Sequence, residues 1–154
     1  MVNEALLRLE VSLPRSAACD DGASFAKGAL LQLIDANKVS GTDTARNVPF
    51  GGFVNTEKIS GSGTTQVSVH RARGTIIDVV NKSGISGSFF IAKGQLVKIS
   101  GNNTVSAISG GGTSQAEAIG TGELTPAQSI YLGLAFARAL EDATDAETFM
   151  VELL

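Results

Sequence analysis

Apolar and polar residues alternate near the start of the chain, which predicts a β-strand. Leu7, Leu9, Val11 and Leu13 are separated by single polar residues. This period of two is typical of a strand with one apolar face. Pro14 interrupts the pattern, and we interpret residues 1–18 as an extended N-terminal arm.

The arm has no hairpin partner next to it in sequence. A lone strand leaves its N–H and C=O groups unpaired, so the arm must pair with another strand. Two alternatives remain open: the arm closes its own domain as an edge strand, or it adds to a partner. In the second case its four apolar residues make the contact: Leu7, Leu9, Val11 and Leu13.

A fifteen-residue pattern occurs twice. Residues 26–40 read AKGALLQLIDANKVS and residues 92–106 read AKGQLVKISGNNTVS, with seven identical positions. Each copy has a Lys-Gly turn, an alternating apolar strand, and a second turn in which Asn37 matches Asn103. Asn tolerates the backbone conformations of tight turns. The sequence therefore predicts two equivalent β-hairpins, with Leu30, Leu33, Leu96 and Ile99 near the core.

A weaker alignment extends the duplication to the ends of both halves. Residues 48–69 align with residues 130–151 if the second half carries sixteen extra residues between 108 and 129. Each half is then a hairpin, a loop and two further strands. In this alignment Gly51, Val67 and Val69 match Gly133, Phe149 and Val151.

Residues 130–137 fit two patterns. Large and small side chains alternate, as in a strand, but Leu132, Phe136 and Leu140 also recur at helical spacing. The match to residues 48–55 favours a strand. Any helix is expected to be short, near 125–129 or 139–147.

Together these patterns predict a mainly β protein. We expect a small β-barrel or β-sandwich-like domain at 19–154, with at most one or two short helices. The many glycines suit short strands joined by turns. A chain of 154 residues can bury enough surface to fold without a disulfide, and Cys19 has no second cysteine to pair with.

Charge and hydrophobicity argue against several partners. The net charge is −3 and the pI about 5.1, so no basic surface for nucleic acid is expected. No apolar run approaches the ~18 residues of a membrane span. Glu4, Arg8 and Glu10 interrupt the N-terminal apolar stretch, which therefore does not resemble a signal peptide.

We predict no catalytic, cofactor-binding or metal-binding residue. His70 is the only histidine, and we interpret it as a half-exposed strand residue. One Cys and one His cannot form the usual zinc site. Lys38 lies near a predicted hairpin tip, as does the modified lysine of lipoyl and biotinyl carrier domains. Its Ala-Asn-Lys-Val context does not match theirs.

The order of motifs resembles the capsid cement, or head decoration, proteins of tailed bacteriophages. The matching stretches are FGGFVNTEK (50–58), QVSVHRARGTIIDV (66–79), SGISGSFFIAKGQLVKI (83–99) and the closing strands at 133–154. The resemblance covers roughly residues 20–154. The insertion at 110–129 and the N-terminal arm depart from the family pattern.

This resemblance implies a small β protein, commonly trimeric, that binds the major capsid protein on the outer surface of the virion. It implies a stabilising role without a reaction or a cofactor. Under this interpretation the arm contacts the capsid or a neighbouring subunit. The alternatives are another β interaction module, such as a tail, baseplate or carbohydrate-binding domain, and, less favoured, a carrier domain.

Overall fold

The computed structural model describes residues 6–42, 48–82, 90–101, 103–108 and 134–154. In these ranges the chain is all β, with no helix, which confirms the predicted fold class. The strands are β1 (Leu6–Leu9), β2 (Arg15–Ala18), β3 (Leu30–Asp35), β4 (Lys38–Gly41), β5 (Phe50–Val54), β6 (Gln66–His70), β7 (Ile76–Asn81), β8 (Leu96–Ile99), β9 (Thr104–Ala107), β10 (Ala137–Ala139) and β11 (Thr148–Leu153).

The strands form two small closed barrels. Barrel 1 has the strand order β2-β4-β3-β5-β6. Barrel 2 has the order β7-β11-β10-β8-β9 and is closed by pairing of β7 with β9. Closing a small sheet on itself removes the unpaired edges that an open sheet would expose. Each half of the duplicated sequence thus builds its own barrel.

The two predicted hairpins are present and equivalent. Leu33 pairs with Val39 in barrel 1, and Ile99 pairs with Val105 in barrel 2. In barrel 1, β2 pairs in parallel with β4 and antiparallel with β6. In barrel 2, β7 likewise pairs in parallel with β9 and antiparallel with β11. The duplication therefore extends from the hairpins to the whole strand order.

The predicted alignment of the last two strands is correct for one strand and wrong for the other. Val67 and Phe149 occupy equivalent positions opposite the first strand of their barrels. Leu31 and Val97 are equivalent positions of the two hairpins. Gly52 pairs with Leu31, and Ala137 pairs with Val97. Gly52 is therefore equivalent to Ala137, three residues further along the chain than the predicted alignment gave. The reason is loop length, since β5–β6 is joined by residues 55–65 and β10–β11 by residues 140–147. Gly133 lies outside the described residues.

The ambiguous segment is only partly described. Residues 130–133 and the helix considered at 125–129 lie outside the described ranges, and residues 134–136 have no regular structure before β10 begins. Residues 139–147 contain no helix. Ala143 instead pairs with Ile91 in an isolated bridge. Glu147 closes the next turn through the backbone N–H and hydroxyl of Thr144.

The buried apolar side chains of the described ranges form two clusters. The smaller lies within barrel 1 and includes Leu31, Val39 and Val69. The larger fills barrel 2 and also takes in Leu30 and Phe53 of barrel 1. Of the predicted core residues, Leu30 and Ile99 are buried, whereas Leu33 and Leu96 are half-buried.

The predicted arm contributes one strand to each sheet. β1 pairs antiparallel with β7 at the outside of barrel 2, whereas β2 pairs with β6 and β4 inside barrel 1. Residues 15–18 are therefore part of a barrel wall. Residues 10–14 connect the two barrels.

The described chain contains no helix that meets the length and hydropathy needed to cross a bilayer.

Candidate functional site

The arm presents an apolar stretch to solvent. Leu9 and Val11 are each 49% exposed and Leu13 is 84% exposed, and the two residues between them are exposed as well. We call residues 9–13 the contact segment. Large apolar side chains close together on a surface mark an interaction site more often than isolated ones do. Leu6, which the sequence analysis did not select, is also 54% exposed.

A register shift within β1 separates Leu7 from the other predicted contact residues. Leu7 pairs with Ile77, but Leu9 pairs with Ile76. Neighbouring residues of a strand face opposite sides, so a one-residue shift reverses the face of all that follows. Leu7 packs against the core of barrel 2, whereas Leu9 faces outward. The prediction that all four apolar residues share one face is therefore wrong.

An ion pair anchors the arm just before the contact segment. Two nitrogens of the Arg8 guanidinium, Nε and Nη2, lie 2.8 Å and 2.6 Å from Oδ2 of Asp78 on β7. The hydrogen bond and the charge of Asp78 raise the pKa of Arg8. Asp78 is buried, so its carboxylate needs this partner. The pair therefore fixes β1 on barrel 2.

His70 supports the contact segment from below. Its Nε2 lies 3.1 Å from Oδ1 of Asn55, and its ring stacks on Phe53 with centroids 4.9 Å apart. Its Nδ1 lies 3.8 Å from Oε1 of Glu10. His70 is 2% exposed, so the expectation of a half-exposed residue is wrong. The His70 ring points out of barrel 1. Phe53 of β5 and Glu10 of the arm lie against it and cover it.

Direct contacts fix the two barrels relative to each other. The backbone N–H of Leu30 donates to Oδ1 of Asn103 at 2.8 Å, and the N–H of Asn103 donates to the Thr42 hydroxyl at 3.3 Å. Phe50 stacks on Phe136 with centroids 4.4 Å apart. The two barrels that residues 10–14 connect are thus also held together by a buried hydrogen bond and by stacked rings.

Lys38 is the first residue of β4, directly after the hairpin turn. Its Nζ lies 2.7 Å from Oδ1 of Asp20, and this hydrogen bond raises the Lys38 pKa. The ammonium is thus held against barrel 1. A lysine that carries a prosthetic group needs to project freely from its turn, and this geometry does not favour that use.

The remaining reactive groups of the described residues are dispersed. Burial raises the pKa of the Cys19 thiol, which disfavours the reactive thiolate. Lys58, which the sequence analysis passed over, is buried and donates to the backbone carbonyls of Asp21 and Ala23 at 2.9 Å. No group of three or more metal-ligating side chains occurs in the described ranges.

Comparisons with known proteins do not assign a family. No protein-family model matches the chain, and no curated protein matches it.

Proposed function

We propose that this protein is a non-enzymatic decoration protein that binds the outer surface of a tailed-bacteriophage capsid. The observation that carries the proposal is the contact segment. Leu9, Val11 and Leu13 are exposed within five residues, and barrel strands hold both ends of the segment. A water-exposed apolar segment in a fixed position suits burial against a protein partner.

The proposed partner is the major capsid protein, and the proposed assembly is a homotrimer, as the sequence resemblance implies. A decoration protein acts by binding the assembled lattice more tightly than its separated parts, which stabilises the lattice by mass action. Many copies can each contribute a modest affinity. Such a role requires a rigid contact surface rather than an activated side chain.

The test compares two sets of apolar-to-polar substitutions. The contact variant is Leu9→Ser/Val11→Ser/Leu13→Ser. The control is Ile34→Ser/Ile59→Ser, which changes side chains that are 49% and 66% exposed elsewhere. Each protein is sedimented with expanded, undecorated shells of the major capsid protein encoded in the same genome. Oligomeric state is measured separately by light scattering.

We expect the wild type and the control to sediment with the shells and to raise their melting temperature. Burial of a half-exposed Leu or Val contributes on the order of 1 kcal/mol, so the contact variant should bind about 100-fold more weakly. Absence of wild-type binding at micromolar protein would contradict the proposal. So would equal binding by the contact and control variants.

The structure also dictates how the arm can be truncated. A deletion of residues 1–17 would remove most of β2 and open barrel 1. Loss of binding would then reflect unfolding. The serine variant leaves both barrels complete, because its three side chains face solvent.

A further inference from the structure

At one end of barrel 1, the half-buried Arg71 has two guanidinium nitrogens without a hydrogen-bond partner. Nε and Nη2 of Arg71 are buried, and neither has a hydrogen-bond partner. No carboxylate of the described residues forms an ion pair with Arg71. Burial, and next the charge of Arg15, lower the Arg71 pKa. Buried N–H donors without an acceptor are costly, so these two nitrogens require an explanation.

Arg15 and Arg71 belong to the inward-facing positions of barrel 1. Arg15 pairs with Val69 and lies two residues before Ala17, which is buried in the same cluster. Arg71 follows Val69 by two residues. Its Cγ would be 3.2 Å from a Cβ placed on Gly52, so its stem occupies space that a side chain at position 52 would need. Both arginines therefore lie at the same end of the barrel.

Barrel 2 provides an internal comparison. Its pairing makes Ile77 equivalent to Arg15, Leu153 to Arg71 and Ala137 to Gly52. All three residues of barrel 2 are fully buried. This architecture thus closes the same end with apolar side chains. Barrel 1 has instead two cations and a glycine that accommodates one of them, an arrangement that the fold itself does not require.

The two unpaired nitrogens of Arg71 form one edge of its guanidinium. N–H groups on that edge point in parallel and match the two oxygens of a carboxylate or phosphate. Arg15 adds a second positive charge and is exposed, and Arg71 as a whole is half-buried, so both side chains reach the surface of the barrel at this end. We propose that this end of barrel 1 is an oxyanion site, in which Arg71 binds a carboxylate or phosphate group bidentately and Arg15 assists by its charge.

The experiment uses inorganic phosphate and acetate as probes, each compared with chloride at equal ionic strength. Thermal unfolding of the full chain is followed for the wild type and for Arg71→Leu, which places the barrel 2 residue at this position. Arg71→Lys keeps the charge but lacks the parallel donors. Arg73→Leu removes the charge of a nearby exposed arginine and serves as the control.

At a probe concentration about 100 times its Kd, binding should raise the wild-type melting temperature by roughly 5–10 °C. Arg73→Leu should respond equally, whereas Arg71→Leu and Arg71→Lys should respond little. A larger effect of acetate indicates an acidic protein side chain as the natural ligand, and a larger effect of phosphate indicates a phosphate-bearing one. Equal responses of the wild type and Arg71→Leu would overturn the proposal.

A second measurement does not depend on the variants folding. The side-chain Nε–H resonance of Arg71 is followed by NMR while the wild type is titrated with each probe. We expect a saturable shift of this resonance, with the Arg73 resonance unchanged. A linear shift shared by all arginines would show general screening only and would overturn the site.

Discussion

Barrel 1 and barrel 2 pair equivalent strands in the same order, but different side chains occupy their interiors. Barrel 2 has Ile77, Phe149 and Leu153, all buried. The equivalent positions of barrel 1 are Arg15, Val67 and Arg71. The two barrels nevertheless close with the same strand order, so this strand order tolerates either set of side chains. The comparison teaches that strand order was kept between the halves while the interior of barrel 1 became smaller and charged at one end.

The barrels also differ in how far their cores extend. The core of barrel 1 is self-contained, whereas that of barrel 2 includes Leu30 and Phe53 from the outer face of barrel 1. Barrel 1 therefore supplies part of its neighbour's core. Because of this shared packing, we expect the two barrels to unfold together despite their separate walls.

The largest expected effect comes from truncating the equivalent core residues. Phe149→Ala should reduce the free energy of unfolding by about 3–5 kcal/mol. Val67→Ala removes only two methyl groups and should cost about 2 kcal/mol. Urea unfolding is followed by circular dichroism, which reports on both barrels, and by alkylation of Cys19, which reports on barrel 1.

If the barrels unfold together, Phe149→Ala lowers both urea midpoints by the same amount: the midpoint from Cys19 alkylation and the midpoint from circular dichroism. Two separate transitions, with the Cys19 midpoint unchanged, would show that the barrels unfold independently.

The next effect distinguishes the two hairpin turns. Asn103 has φ of 51° and accepts a hydrogen bond from the buried N–H of Leu30. Asn103→Ala leaves that N–H unpaired and places alanine in a left-handed conformation, so it should cost about 2–4 kcal/mol. Asn37→Ala, the exposed equivalent, should cost less than about 0.5 kcal/mol. Urea midpoints provide the measurement.

Asn103→Gly separates the two causes, because glycine relieves the backbone strain but still lacks the acceptor. If Asn103→Ala and Asn37→Ala cost the same, the hydrogen bond across the junction does not stabilise the protein.

The smallest expected effect concerns the stability of the protein in acid, and it comes from a turn of barrel 2. The N–H and hydroxyl of Thr144 donate to Oε2 of Glu147 at 2.8 Å and 3.0 Å, and the first of these bonds lowers the pKa of Glu147 most. A lowered folded-state pKa stabilises above the usual carboxyl pKa, and this stability is lost as the pH falls through the lowered value. Urea midpoints of wild type and Glu147→Gln should therefore differ at pH 7 and converge as the pH falls below the usual carboxyl pKa and through the lowered one.

Glu57→Gln, in the longer loop of barrel 1, controls for the loss of one negative charge. A midpoint difference between wild type and Glu147→Gln that stays constant from pH 7 to pH 3 would contradict the assignment.

The sequence by itself determined the elements that depend on local chemistry. Alternating apolar residues between turn residues were enough to predict β3, β4, β8 and β9, because a hairpin brings neighbouring segments together. Matching residues in the two copies correctly predicted that Val67 and Val69 are equivalent to Phe149 and Val151. The alternation in the arm predicted a strand through Leu13, but the structure forms a strand only over Leu6–Leu9 and none over residues 10–13.

Only the tertiary structure decided what depends on partners distant in sequence. The three-residue shift of β10 follows from the lengths of two loops, and neither length is visible in the strand pattern. The bulge that turns Leu9 away from Leu7 depends on pairing with β7. Burial of His70 requires the arm to lie against barrel 1.

The Arg71 guanidinium also had no sequence signal until the repeat was registered correctly, because it lies just beyond the end of a strand. Once the strand pairing showed that Arg71 is equivalent to Leu153 of barrel 2, its departure from an apolar interior became visible. Local patterns fix which segments form strands, but burial depends on which segments meet, and only the closed barrels determine that.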